Sequence, residues 1–101
     1  MELKWTARAR DDRREIYDHI EQERVRTAIT VDNRIEEQVD GLTRFPGKGR
    51  PGRVEGTREL VIQRTPFIAL YRIAGELIRV LRIIRGAQER PKEIIEEPDD
   101  N

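Results

Sequence analysis

The feature that most constrains this chain is a change of period at Gly56: upstream, apolar residues return every three or four positions, and downstream every two. The first spacing lines one face of a helix, the second one face of a strand. Downstream, "RELVI" (Arg58 to Ile62), "FIALYRI" (Phe67 to Ile73) and "LIRVLRII" (Leu77 to Ile84) are three strands. Their linkers, "QRTP" and "AGE", are too short for a crossover, so the strands must form antiparallel hairpins. From Leu60 to Ile84, fourteen of twenty-five positions are Leu, Ile, Val, Phe or Tyr, a density that favours a packed sheet over a disordered chain.

Upstream, "ELKWT" alternates like a half-buried strand, with Leu3 and Trp5 on one face and Trp5 expected in the core. Thr6 is placed to cap a helix running from Ala7 to about Arg24, whose narrow apolar stripe is Ala9, Ile16, Tyr17 and Ile20. A break near "RVRT" lets Thr27 cap a second helix carrying Ala28, Val31, Ile35, Val39 and Leu42, and Phe45-Pro46 closes the helical hairpin. The expected fold is α+β in a single domain: an N-terminal strand and a two-helix hairpin packed on an antiparallel sheet with a three-stranded C-terminal meander. In the middle strand, Phe67, Ala69, Tyr71 and Ile73 share one face, while Ile68, Leu70 and Arg72 share the other. One hairpin covers one face, and the tail adds only Ile94 and Ile95. The second face is therefore expected to await a partner.

Between the two halves lies "GKGRPGR" (Gly47 to Arg53), whose first six residues spell G-x-G-x-x-G. That pattern cradles a phosphate only where a strand ends and a helix begins. Here a helix precedes and a strand follows, and Pro51 has no amide hydrogen to donate. A Walker A loop is excluded too, because Lys48 is followed by Gly49 and not by Ser or Thr. What remains is a basic loop carrying Lys48, Arg50 and Arg53, with enough Gly and Pro to explain it as a connector.

Charged residues make up 40% of the chain and hydrophobic residues 36%, so the core is thin and the surface ionic. The formal net charge of zero hides an asymmetry. The last ten residues hold one Lys and five acids, a net of −4, which leaves +4 on residues 1 to 91. A basic body suits a polyanion or an acidic protein as partner. The absence of cysteine rules out a disulfide framework and a thiolate metal site, and suits a reducing cytoplasm. No apolar run approaches about eighteen residues and "MELKWTARARDD" has no apolar signal region, so neither a membrane span nor a signal peptide is expected.

The order of elements, with the words "GRPGRVEGTREL" (Gly49 to Leu60), "TPFIALYRI" (Thr65 to Ile73) and "VLRIIRGAQERP" (Val80 to Pro91), resembles the RelE/ParE family of bacterial type II toxin-antitoxin modules. The resemblance covers roughly residues 1 to 91. It divides the chain into a toxin domain, 1–91, and an acidic extension, 92–101. It implies growth inhibition in the cytoplasm, no cofactor or metal, and a cognate antitoxin bound in a hetero-oligomer. The open sheet face, with Ile68, Leu70 and Arg72, is the expected antitoxin contact.

Members of the RelE branch cleave messenger RNA on the ribosome, whereas members of the ParE branch poison DNA gyrase without a known nuclease site. RNA cleavage needs a base, an acid and cations around the phosphate. The sheet positions that align with the nuclease residues are Glu59, Val61 and Ile68, none of them basic, and Arg85, Gln88, Glu89 and Arg90 after the last strand include no His or Tyr. His19, the only histidine, falls in the first helix and is expected at the surface. Arginine, with a pKa above about 12, is a poor general base. The leading expectation is a non-enzymatic gyrase poison with Lys48, Arg50, Arg53, Arg85 and Arg90 as target contacts. The enzymatic alternative is a ribosome-dependent RNA endonuclease using Arg58, Arg72 and Arg85 as electrostatic residues. Arg85 and Arg90 depart from the His and aromatic common in the ParE branch, which leaves a degenerate toxin acting as a binding module as a third reading.

Overall fold

Residues 1–86, 91, 93 and 94 are described by the computed structural model of the chain. The elements run β1 (Glu2–Trp5), α1 (Ala7–Glu21), α2 (Val25–Asp40), two 3₁₀ turns (Gly41–Thr43 and Pro46–Lys48), β2 (Arg50–Pro51), β3 (Arg58–Val61), β4 (Phe67–Ala74) and β5 (Leu77–Arg85). The fold is α+β, with a helical hairpin packed on one five-stranded sheet of order β1-β5-β4-β3-β2. No described helix is long and apolar enough to cross a membrane.

The expected meander is present: β3, β4 and β5 pair antiparallel. Gly75, with φ of 60°, turns β4 into β5 through a two-residue link in the left-handed region that glycine adopts freely. Two features differ from the sequence reading. The sheet is mixed, because β1 pairs parallel with β5, Glu2 beside Leu77 through Trp5 beside Val80. The helices and the meander intervene between the two, so no local pattern announces this pairing. The basic loop also contributes β2, two residues that pair with β3 at Glu59 and Arg58.

Thr6 caps α1 as its position suggests. Its Oγ1 accepts the Ala9 N–H at 3.1 Å and donates to the Leu81 carbonyl at 3.2 Å, which fastens the start of the helix to β5. Helix α2 departs from expectation. It starts at Val25 with Arg24 as its cap and no side-chain cap bond, and the Ala28 N–H already bonds to the Arg24 carbonyl at 3.0 Å, so Thr27 lies inside the helix. The two helices are joined by Arg13, whose guanidinium meets Asp32 at 2.6 and 3.0 Å and lies 5.1 Å from the centre of the Trp5 ring.

Val31, Ile35 and Val39 of α2, with Leu42 of the following 3₁₀ turn, join Leu60, Ala69, Tyr71 and Val80 of the sheet in one core. Trp5 is buried with them at 7% exposure, as expected. The second sheet face corrects the sequence reading. Ile68, Leu70 and Ile84 form their own cluster, exposed only 5%, 3% and 1%, and Ile94 packs against them. Ile68 and Leu70 are therefore buried within the chain and do not wait open for a partner. Ile95 lies outside the described residues.

Candidate functional site

The basic loop is built inward from its backbone. Four of its amides are already bonded inside the chain: Lys48 N–H to the Phe45 carbonyl at 3.1 Å, Gly49 N–H to the Tyr71 hydroxyl at 2.9 Å, Gly52 N–H to the Thr57 carbonyl at 2.8 Å, and Arg53 N–H to Glu59 Oε2 at 3.4 Å. A phosphate cradle needs those donors turned outward. The glycine pattern is thus a structural connector, as its position between helix and strand requires.

Tyr71 is the post on which the loop is hung. Its side chain is fully buried, and its hydroxyl donates to the Pro46 carbonyl at 2.7 Å while accepting from Gly49. Burial pushes the phenol above its ordinary value of 10.0, although the Gly49 N–H and the nearby Arg58 charge favour the phenolate. A methyl group on Gly49 would lie 2.6 Å from the Tyr71 oxygen and 2.8 Å from the Glu59 carbonyl, so only glycine fits this approach. Arg58 Nη1 bonds to the Gly49 carbonyl at 2.9 Å. Glu59, exposed 2%, accepts from Arg50 Nε at 3.3 Å and from Arg53 N–H.

A second constellation stands across the sheet, where α1 meets β5. Asp12 of α1, exposed 6%, receives Arg82 Nε at 2.8 Å and Nη2 at 3.2 Å, Arg8 Nε at 3.3 Å, and the Ile83 N–H at 3.0 Å. β1 pairs with β5 only as far as Val80, so the Ile83 amide beyond it needs another acceptor, and Asp12 supplies one. Beside this pair a groove of about 460 Å³ opens between the helical hairpin and the sheet, with Ile16, Ile20, Val31 and Phe67 on its apolar part and Arg85 among its lining residues. His19 is exposed, as expected, and lines the same groove with Glu15.

The predicted target residues therefore fall into two groups. Lys48, Arg50 and Arg53 share the loop, with Arg58 at its base, and Arg72 stands beside Gly56 at the same end. Arg85 does not join them. Arg58 lies level with Tyr71 and Val80, whereas Arg85 lies level with Phe67, five residues further along β5 and on the order of 15 Å away at strand rise. Arg58, Arg72 and Arg85 thus do not converge on one phosphate. Arg90 lies outside the described residues, as do Gln88 and Glu89. Among the described residues no group of His, Asp and Glu is arranged to hold a metal ion. Sequence reasoning missed Asp12 and Tyr71 as anchors. Asp12 carried no signal among so many surface charges, and Tyr71 was legible only as a core position.

A sequence model described as "ParE toxin of type II toxin-antitoxin system, parDE" matches residues 3–90. The candidate toxin Y4kP of Sinorhizobium fredii (strain NBRC 101917 / NGR234) is 38% identical over 90 residues, covering 89% of this chain and 93% of that protein. A solved structure described as the chromosomal ParDE TA system from P. aeruginosa contains a similar chain, with a TM-score of 0.78 and 40% identity, covering 85% of this chain and 96% of the other. With the hairpin-on-sheet fold and the basic loop in place, the chain belongs to the ParE toxin family of type II toxin-antitoxin systems.

Proposed function

We propose that this toxin arrests bacterial growth by binding DNA gyrase and trapping it on DNA, without a catalytic step of its own. One observation carries the reading. Beside the loop arginines the Tyr71 phenol and the Glu59 carboxylate are buried and bonded to the loop, which leaves Glu55 as the exposed carboxylate of the segment. A ribonuclease needs such groups within reach of the ribose hydroxyl and the leaving oxygen. The loop exposes Lys48, Arg50 and Arg53 against the one carboxylate of Glu55, a cationic excess that suits electrostatic contact with a large target. A supercoiling assay with purified gyrase, paired with a search for cleaved DNA complexes, tests this directly. Inhibition with trapped complexes is expected. Normal supercoiling at large toxin excess, with messenger RNA broken after induction in cells, would replace it with the ribosome-dependent endonuclease.

Membership of the family implies an antitoxin partner. Its contact is the groove between hairpin and sheet, which offers apolar side chains on the surface where Ile68 and Leu70 do not. A partner segment with an apolar stripe fits it, flanked by mixed charge, since Arg8, Arg82 and Arg85 line the groove together with Asp12 and Glu15. Titration with the product of the neighbouring gene should raise the melting temperature and give a negative heat-capacity change. Binding without a heat-capacity change, abolished in moderate salt, would point to a purely electrostatic contact.

A further inference from the structure

Phe45 is the most exposed large apolar side chain among the described residues, at 67%. Its backbone is fixed on both sides. The Phe45 N–H bonds to the Gly41 carbonyl at 3.1 Å, the Phe45 carbonyl accepts from Lys48 at 3.1 Å, and the Pro46 carbonyl accepts from Tyr71 at 2.7 Å. An aromatic ring in water on a flexible turn is commonplace; one on a turn pinned by three hydrogen bonds is presented ready for contact, with little ordering left to do on binding.

The side chains that line the surface beside the ring include two cations, Arg44 and Lys48, and no acid, and Asp40 and Glu55 flank the segment 41–54. From Gly41 to Val54 the chain has four cations, Arg44, Lys48, Arg50 and Arg53, and no acid. All four are exposed. An open hollow of about 660 Å³ lies beside the ring, lined by Arg44, Phe45, Pro46, Gly47 and Lys48. From this geometry we infer that the turn binds single-stranded nucleic acid, with one base stacked on Phe45 and the flanking phosphates met by Arg44 and Lys48. An aromatic platform set among spaced cations is what sequence-tolerant binding of an unpaired strand requires. A duplex keeps its base faces covered and would leave the ring unused. A protein hot spot favours an enclosed pocket that desolvates a side chain, and this hollow is open. The inference is independent of the gyrase reading, because an unpaired strand binds the turn whatever the toxin's cellular target is.

The test is a fluorescence anisotropy titration of a labelled twelve-residue oligo-dT with the full-length toxin across a salt series. Phe45→Ala should weaken binding on the order of 10-fold, as removal of one stacked base does, and leave the salt slope unchanged. Arg44→Ala with Lys48→Ala should flatten that slope by about 0.7 for each phosphate no longer neutralised. The melting curve of Phe45→Ala should match the wild type, since its ring is in water. Equal binding by Phe45→Ala, no binding by the wild type at low salt, or equal affinity for duplex overturns the inference. So does unaltered oligo-dT binding by Phe45→Ala together with failure to capture a protein partner, which assigns the ring to a protein contact. Supercoiling assays on the same proteins separate the two proposals: gyrase inhibition retained without strand binding removes this one alone, and strand binding without gyrase inhibition removes the other.

Discussion

Two buried carboxylates organise two sides of this molecule, and they act over different ranges. Asp12 collects donors from its own helix, from the Arg82 side chain and from the Ile83 backbone, so it joins the helical layer to the sheet across seventy residues of sequence. Glu59 collects Arg50 and the Arg53 amide, both from a loop six to nine residues away. The bonds to Asp12 include two of 3.0 Å or less, while the two that reach Glu59 from the loop are 3.3 and 3.4 Å. A carboxylate of the first kind supports the whole domain. The second kind shapes a surface while leaving the domain's stability largely to the apolar core.

Breaking Asp12 should have the largest effect. Asp12→Ala leaves the Ile83 amide and a partly buried Arg82 without their acceptor and should destabilise the fold by about 3 kcal/mol, read from urea unfolding. A loss below about 1 kcal/mol would erase the distinction between the two carboxylates, since surface changes have that size. Next comes Gly49→Ala. Its methyl would press on the Tyr71 oxygen and the Glu59 carbonyl, which should cost about 2 kcal/mol of overpacking and open the loop to trypsin at Lys48 and Arg53. If the loop stays resistant, Tyr71 is not the post that holds it.

Alkali should find the same post. The Tyr71 phenol is raised from 10.0 in the folded protein, so the stabilisation linked to it is full below the unfolded value and disappears as pH rises through the folded one. The unfolding midpoint should fall above about pH 10, and this part of the fall should be absent in Tyr71→Phe. The loop arginines then separate from each other. Arg50→Ala removes a donor to a carboxylate that stays buried and should cost about 1 kcal/mol. Arg53→Ala keeps the backbone N–H that reaches Glu59 and should stay within about 0.5 kcal/mol. Equal losses for the pair would mean that side-chain charge, and not the amide, holds the loop.

The elements were legible where a period repeats. The α2 stripe from Ala28 to Leu42 is buried throughout, and the three strands of the meander lie within a residue or two of their expected limits. Pairings made across long stretches of chain were not legible, since nothing in "ELKW" names Leu77 to Val80 as its neighbour. Neither was β2, too short to show a period. Thr27 misled because a capping residue type also occurs inside helices, and Arg24 closes the first turn through its backbone alone. The loop was recognised as basic and as a connector. What composition could not reveal is that Glu59 and Tyr71 hold it from below, or that Phe45, which resembled punctuation before Pro46, projects into water.

The parallel seam between β1 and β5 also sets a timetable for synthesis. Thr6 reaches a partner 75 residues away, and at about 5–20 residues per second the ribosome takes roughly 4–15 s to make that partner after Thr6 itself. Helix α1 can coil as it emerges, but the strand before it has no neighbour and Asp12 has no Arg82 until β5 is translated. Such non-local closure is slow and comes late. A nascent chain stalled before Leu77 would therefore lack β5, the strand on which α1 packs, and display the apolar side of that helix, a form for proteases and chaperones to meet before any target does.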